Sequence, residues 1–377
     1  MQLYLLEKNW SILKILHYEK ELNALKKVNR FRQRKLYDNN LIDLASNDYL
    51  GLSTNKKILK KAYKKVKEEQ NNSSKASIIV NGYSKIHHNF EKKLSELNNF
   101  ESGIVVGSGF LANISLIESM VRRGDTLFID EEYHASGILS SKLVQGSVVV
   151  FKHNDYEDLE LKIKECNGRL IIAIEGIYSM SGTLAPKQIN KIANKYNAIL
   201  IVDEAHSSGI IGDNLLGWYD YWNIKPKSNH IKMGTLGKAY GSYGAYILAS
   251  KHIISFLENR AKPIIYSTAP STFDIALAHE GLKYIVKNKY SIKKQINKYQ
   301  VLVNKYLNIN IKGLIVPILI NNNKKVIELQ KYLIDNLYLV GAIRQPTVKI
   351  AMLRLILKLD IKKSYIKNVC KLIKSKI

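Results

Sequence analysis

Ala198-Ile199-Leu200-Ile201-Val202-Asp203-Glu204-Ala205-His206 is the stretch on which the reading of this chain turns. Its apolar run is short, rich in β-branched residues and ends in an acid, the pattern of a buried strand with a carboxylate at its C-terminal end. Open α/β sheets bind their ligands at that end of the strands. Further along, Thr235-Leu236-Gly237-Lys238 lies in a turn punctuated by glycine from Gly234 to Gly244, after another apolar segment. A lysine held there can form a Schiff base with a carbonyl compound, and an acid such as Asp203 can pair with a protonated ring nitrogen.

Working outward, Ser108-Gly109-Phe110-Leu111-Ala112-Asn113 follows the apolar run 104–106 and opens a helical pattern through Leu111, Ile114, Leu116, Ile117 and Met120. Backbone N–H groups at such a helix start can hold a phosphate. Tyr133-His134-Ala135-Ser136 follows a second short apolar run, 126–129, and places an imidazole at another strand end. Further strands are expected at 147–151, 170–174 and 246–249, with helical segments such as 189–196 between them. That alternation predicts an α/β fold whose large domain holds a mostly parallel sheet. After about Pro270 a helical stretch precedes shorter strands at 313–320, 337–340 and 352–356, which reads as a smaller C-terminal α+β domain. The expected divisions are 1–44, a helical segment (10–27) packing on the small domain, then 45–270 and 271–377. A lysine, a ring acid and a phosphate cradle in this order are the parts of a pyridoxal 5'-phosphate site.

The series Asn47-Asp48-Tyr49-Leu50-Gly51-Leu52, Gly82-Tyr83-Ser84, Gly107-Ser108-Gly109-Phe110, Tyr133-His134-Ala135-Ser136, Asp203-Glu204-Ala205-His206, Gly237-Lys238 and Ile343-Arg344-Gln345-Pro346-Thr347 resembles the α-oxoamine synthases. These are fold-type-I pyridoxal-phosphate transferases that join an amino acid to an acyl thioester with loss of carbon dioxide, and the resemblance spans residues 41–357. Asn81-Gly82-Tyr83-Ser84, Ile265-Tyr266-Ser267-Thr268 and the Arg344 loop are similar to the branch that condenses L-alanine with a pimeloyl thioester on the route to biotin. A glycine acetyltransferase is the alternative within the family. The donor carrier, coenzyme A or an acyl carrier protein, is not written in any motif.

The resemblance implies a role for each matching residue. Lys238 would anchor the cofactor and then take the proton from the substrate α-carbon, which an amine does near neutral pH only where its pKa is depressed. Asp203 would pair with the ring nitrogen, His206 would bond the phenolic oxygen, and His134 would stack on the ring near the substrate carboxylate. Thr235 and Ser179 would contact cofactor oxygens, and Gly109 with Phe110 would line the phosphate side. Ser267 or Thr268 would reach the phosphate of a neighbouring subunit, implying a homodimer with shared sites. Asn47, Arg344 and Thr347 would meet substrate, with Arg354 as a second choice for the carboxylate. One arginine from Arg30, Arg32 and Arg34 would meet the pimeloyl end.

Some positions depart from the family pattern. Ser181 and Thr183 stand where carboxylates are usual, Ser207-Ser208 replaces Gly-Thr, and Ser74-Lys75-Ala76-Ser77 replaces a Gly-rich segment ending in arginine. Composition sets the remaining bounds. The net charge of +26 would suit a nucleic-acid partner, but the lysines are scattered, and 23 Tyr against 8 Phe with abundant Asn and Ile fits an A/T-rich coding sequence. Nucleic acid is therefore not expected as a partner, although a basic surface can steer acidic ones. Cys166 and Cys370 stand alone, so neither a disulfide framework nor a metal site is expected. Without an adequate apolar segment for export or membrane spanning, the expected location is the cytoplasm.

Overall fold

The computed structural model describes residues 18–377. The chain folds into two compact units. The larger comprises Ser46–Val316 and Ile356–Lys367, and the smaller comprises the described residues up to Ala45, Pro317–Leu355 and Asn368–Ile377. The long helix Thr272–Leu307, 36 residues, belongs to the larger unit, whereas the sequence reading begins the small domain at 271. The reason lies in its buried residues: Ile275, Ala276, Ala278 and Leu282 pack inward on the first third of the helix, and it lies against the helix Lys56–Glu69.

In chain order the strands are β1 (Ile42–Leu44), β2 (Ser102–Val106), β3 (Thr126–Asp130), β4 (Ser147–Phe151), β5 (Leu170–Glu175), β6 (Ile199–Asp203), β7 (His230–Thr235), β8 (Ala245–Ala249), β9 (Ile315–Leu319), β10 (Tyr338–Ile343) and β11 (Met352–Ile356). Seven of them form one sheet in the order β2-β8-β7-β6-β5-β3-β4. Pairings from β4 through β7 are parallel, while β8 runs antiparallel to both β7 and β2. The edge strand β2 thus finds its partner in β8, far along the chain. The inner strands β3, β5, β6 and β8 are almost wholly buried, as continuous apolar runs require in a sheet covered on both faces.

Of the strand expectations, 352–356 matches β11 residue for residue, and 198–202 is displaced by one, since β6 includes Asp203 itself. Strand β7 shows in the sequence only as an apolar segment because Lys232 interrupts its run. The four-stranded second sheet has the order β1-β10-β11-β9, with β1 parallel and β11 antiparallel to β10. Of the expected N-terminal helix, residues 10–17 lie outside the described residues, and 18–27 are helical and exposed. No helix among the described residues is long and apolar enough to cross a membrane.

Candidate active site

Three neighbouring strands deliver the site. Parallel pairing sets Glu175 opposite Asp203 at the C-terminal ends of β5 and β6, and Asp203 opposite Met233 of β7. The chain leaves β7 through Thr235 into the turn that carries Lys238. From the other side come the start of the helix Gly109–Met120, capped by the Ser108 side chain accepting from the Leu111 N–H, and the start of the helix Ala135–Ser140, capped by His134. Together they enclose a cavity of about 150 Å³ lined by Gly109, Phe110, Asn113, His134, Ser136, Glu175, Asp203, Ala205, His206, Thr235 and Lys238.

Asp203 is 4 % exposed and accepts a hydrogen bond on each oxygen. Its Oδ1 accepts the Ala205 N–H at 2.9 Å and its Oδ2 accepts the Asn113 amide at 3.0 Å. Lys238 Nζ lies 3.0 Å from His206 Nε2, and His206 Nδ1 lies 2.5 Å from the Tyr49 hydroxyl. If Lys238 is an ammonium it donates to Nε2, Nδ1–H then donates to Tyr49, and the tyrosine hydroxyl faces Asn47 Oδ1 at 3.5 Å. The lysine and Asn47 are thereby tied through an imidazole and a phenol.

His134 is exposed over part of its surface, yet the protein around its ring is enough for desolvation to lower its pKa; Asp203 opposes that shift and Lys238 adds to it. Burial pushes the Glu175 carboxyl well above the usual carboxylate range, and the nearby Asp203 charge pushes it further. Two carboxyls at adjacent strand ends disfavour each other's charge, which adds to the upward push on Glu175. Its Oε2 accepts the Ser179 N–H at 3.0 Å. Thr235 Oγ1 is buried and has no hydrogen-bond partner among the described residues. A Cβ on Gly109 would come within 2.5 Å of Thr235 Cγ2, so glycine is what lets the helix start approach β7.

The structure thus gathers Lys238, Asp203, His134, His206, Gly109, Phe110 and Thr235 around one cavity. Ser179 is buried behind Glu175, and Asn47 is held at Tyr49. Ser267 and Thr268 stand apart from that lining, where Thr268 bridges Ser77. In the smaller unit, Arg344 and Thr347 share a second cavity of about 110 Å³ with Arg30, Arg32 and Gln345. Arg30 Nη2 donates to Gln345 Oε1 and Arg32 Nη2 to Thr347 Oγ1, both at 3.0 Å. Arg34 does not line it. Arg354, 6 % exposed, sits in β11 opposite Gly341 of β10.

Four of the departing residues acquire partners. Thr183 bonds His153 Nε2 at 2.7 Å and Ser181 at 2.9 Å, while His153 Nδ1 meets the buried Asp130 carboxylate at 2.9 Å. Ser207 Oγ donates to Glu204 Oε2 at 2.5 Å, and Ser208 joins the hydroxyls of Tyr240 and Tyr246 at 2.9 and 2.8 Å. Glu204 itself is wholly buried 3.5 Å from the equally buried Lys232. Sequence reasoning missed Asn113, Ser136, Glu175 and Tyr49 as site residues. Signals existed for two of them: Glu175 ends an apolar run as Asp203 does, and Asn113 is a polar residue within an otherwise apolar helix segment.

Residues 39–373 match the family described as aminotransferase class I and II. The chain belongs to that family. Within it, the chain sits with the α-oxoamine synthases. It is 44% identical to the 8-amino-7-oxononanoate synthase of Helicobacter pylori strain J99, over 91% of this chain and 92% of that one. The 8-amino-7-oxononanoate synthase of Thermoanaerobacter pseudethanolicus is 31% identical over 88% of each. Among solved structures, the 8-amino-7-oxononanoate synthase of Francisella tularensis superposes with a TM-score of 0.77 at 27% identity, covering 90% of this chain and 98% of its own. A serine palmitoyltransferase from S. paucimobilis, at 19% identity, shares the fold with a TM-score of 0.87 over 97% and 98% of the two chains.

Proposed function

We propose that this chain is a pyridoxal-phosphate-dependent acyltransferase that condenses L-alanine with a pimeloyl thioester, releasing carbon dioxide and giving 8-amino-7-oxononanoate for biotin synthesis. The observation that carries the reading is the convergence of Lys238 and Asp203 on one cavity whose lining also includes the start of the helix Gly109–Met120. The residues fit the cofactor. The buried Thr235 Oγ1 has a bonding site to offer, Gly109 keeps the helix start clear of side-chain bulk, and a buried carboxyl stands at the strand end. Bound there, the cofactor supplies a carbonyl for the lysine and a protonated ring that stabilises negative charge at the amino-acid α-carbon.

The protein does the rest. Lys238 would hold the cofactor through its carbonyl and would be the base for the α-proton; His206 at 3.0 Å orients its amine. Asp203, held in place by the two hydrogen bonds it accepts, would pair with the ring nitrogen and favour its protonated form. His134 would offer its flat face to the ring, while Gly109 and Phe110 would line the phosphate side. Ser179 and Thr235 serve the cofactor oxygens, and His206 the phenolic one. Asn47, Arg344 and Thr347 meet the substrate, the arginine by a two-pronged bond to a carboxylate. Ser267 and Thr268 complete the neighbouring site in a homodimer located in the cytoplasm, with neither nucleic acid nor membrane as a partner.

The test is a spectral titration of the cofactor-loaded protein with L-alanine and with glycine, followed by pimeloyl-coenzyme A. An alanine-selective shift of the cofactor band, with product formed on adding the thioester, is expected. A response to glycine alone would transfer the protein to the acetyltransferase branch, and a cofactor band that survives Lys238→Ala unchanged would defeat the assignment of the anchor.

A further inference from the structure

The ring acid and the stacking histidine are joined by a residue that touches both sides of the cavity. Asn113, 1 % exposed, lies in the first turns of the helix Gly109–Met120. Its amide nitrogen is 3.0 Å from Asp203 Oδ2 and 2.9 Å from Ser136 Oγ, and its oxygen is 2.8 Å from the Tyr133 hydroxyl. An ionised carboxylate only accepts, so the group facing Asp203 must be the NH2, and the amide orientation is fixed by chemistry. The oxygen therefore accepts from Tyr133, whose hydroxyl burial keeps protonated.

The consequence runs on to His134. Ser136 Oγ receives one N–H from Asn113, so its own hydrogen points to the remaining neighbour, His134 Nδ1, at 2.7 Å. The Ser136 backbone N–H also points at that nitrogen, at 3.2 Å. Facing two donors, Nδ1 carries no hydrogen, and a neutral ring must hold its proton on Nε2. Protonating Nδ1 would set N–H against N–H and turn the serine hydroxyl back against the asparagine amide.

We infer that Asn113 is a positioning residue which, through one amide, fixes the carboxylate of Asp203 and, through Ser136, locks His134 as the neutral Nε2–H tautomer. The inference rests on the reading above that Asp203 and His134 hold the ring nitrogen and the ring face of a bound cofactor. In that setting a neutral His134 stacks on the ring without placing a second cation beside the protonated nitrogen, and its Nε2–H is left as a donor. A histidine cycling between tautomers would offer that donor for only part of the time.

The test reads the tautomer directly. Long-range 15N–1H correlation spectra of the 15N-histidine-labelled holoenzyme, with His134 assigned by its loss in His134→Gln, should show Nδ1 as an unprotonated acceptor and Nε2 as protonated across pH 6 to 8. In Asn113→Leu both His134 shifts should move toward averaged values, with kcat for the alanine reaction falling at least about tenfold and the alanine KM changing less. Should Asn113→Leu fail to fold, Ser136→Ala removes the hydroxyl relay alone and should move the same two shifts. A His134 whose 15N shifts are those of wild type in a folded Asn113→Leu or Ser136→Ala protein would overturn the inference, as would a wild-type His134 protonated on Nδ1. Because these spectra do not depend on substrate, a protein inactive toward alanine and pimeloyl-coenzyme A would defeat the proposed function and leave the tautomer lock standing.

Discussion

Replacing Lys232 by Met should destabilise this protein by about 3–5 kcal/mol, the typical cost of removing one partner from a buried ion pair. Lys232 and Glu204 face each other at 3.5 Å with neither side chain exposed. The ammonium also donates to Asn98 Oδ1 at 2.8 Å and to the Leu216 carbonyl, while Glu204 accepts from Ser207, the Trp218 N–H and the Tyr219 N–H. No room exists to relax the carboxylate away, since the Gly217 backbone is so near that an added Cβ would lie 1.8 Å from Glu204 Oε2. Met keeps the bulk of Lys and deletes its charge, leaving a dry carboxylate with no cation. Lys232→Met/Glu204→Gln should therefore recover most of the loss and come within about 2 kcal/mol of wild type. Burial presses the Lys232 pKa down and Glu204 holds it up. In Glu204→Ala the uncompensated lysine costs most at neutral pH, and the deficit should shrink as pH rises and the amine sheds its proton. Urea unfolding followed by tryptophan fluorescence measures these proteins together with the Glu204→Gln single, because Trp218 opens and Trp222 caps the short helix beside the pair. A double variant as unstable as the sum of its two singles would refute the argument.

Further outcomes are expected at the cavity and in the core. Asp203→Asn should retain the cofactor while kcat falls about 10²–10³-fold, a split visible by comparing the bound-cofactor spectrum with turnover. Tyr49→Phe removes the 2.5 Å contact with His206 and should lower kcat/KM about fivefold, the value of one neutral hydrogen bond of about 1 kcal/mol. Gly109→Ala pushes a methyl into Thr235 and should weaken cofactor binding about tenfold by equilibrium dialysis, with the far-ultraviolet circular dichroism unchanged. His230 and His279 are both held down to about 4 by burial, so each stays neutral when folded and charges when unfolded. Stability from these two is complete above the unfolded value of about 6.5 and is lost as pH falls toward 4; the urea midpoint of His230→Asn/His279→Gln should fall less over that window than that of wild type.

What the sequence makes legible is whatever depends on local pattern. Asp203 belongs at a strand end because an apolar run ends there, and Lys238 in a turn because glycines surround it. The starts of the helices at Gly109 and Ala135 follow from the same change of period. Hidden are the contacts made between distant segments: Tyr49 reaching His206, Asn113 reaching Asp203 and Lys232 reaching Glu204. Each joins a polar side chain to a partner on another element, and no periodicity records which buried polar groups will meet. Lys232 even works against the reading, since a charge inside an apolar run disguises a strand that tolerates it only because Glu204 is waiting beside the neighbouring one.

The pairing of β2 with β8 also has a temporal side. During synthesis at about 5–20 residues per second, the ribosome takes roughly 10–30 s to travel from the end of β2 to the end of β8. Through that interval Ile104, Val105 and Val106 form an edge without its mate, the kind of surface that invites wrong pairing between nascent chains. The helix start at Gly109 hangs from the same unfinished edge, and Lys238 emerges from the tunnel only just before β8. A newly made chain therefore has no half-built cavity in which to trap its cofactor early. Loading waits for the strand that closes the sheet, so acquisition of the cofactor marks a chain whose seven-stranded sheet has been completed.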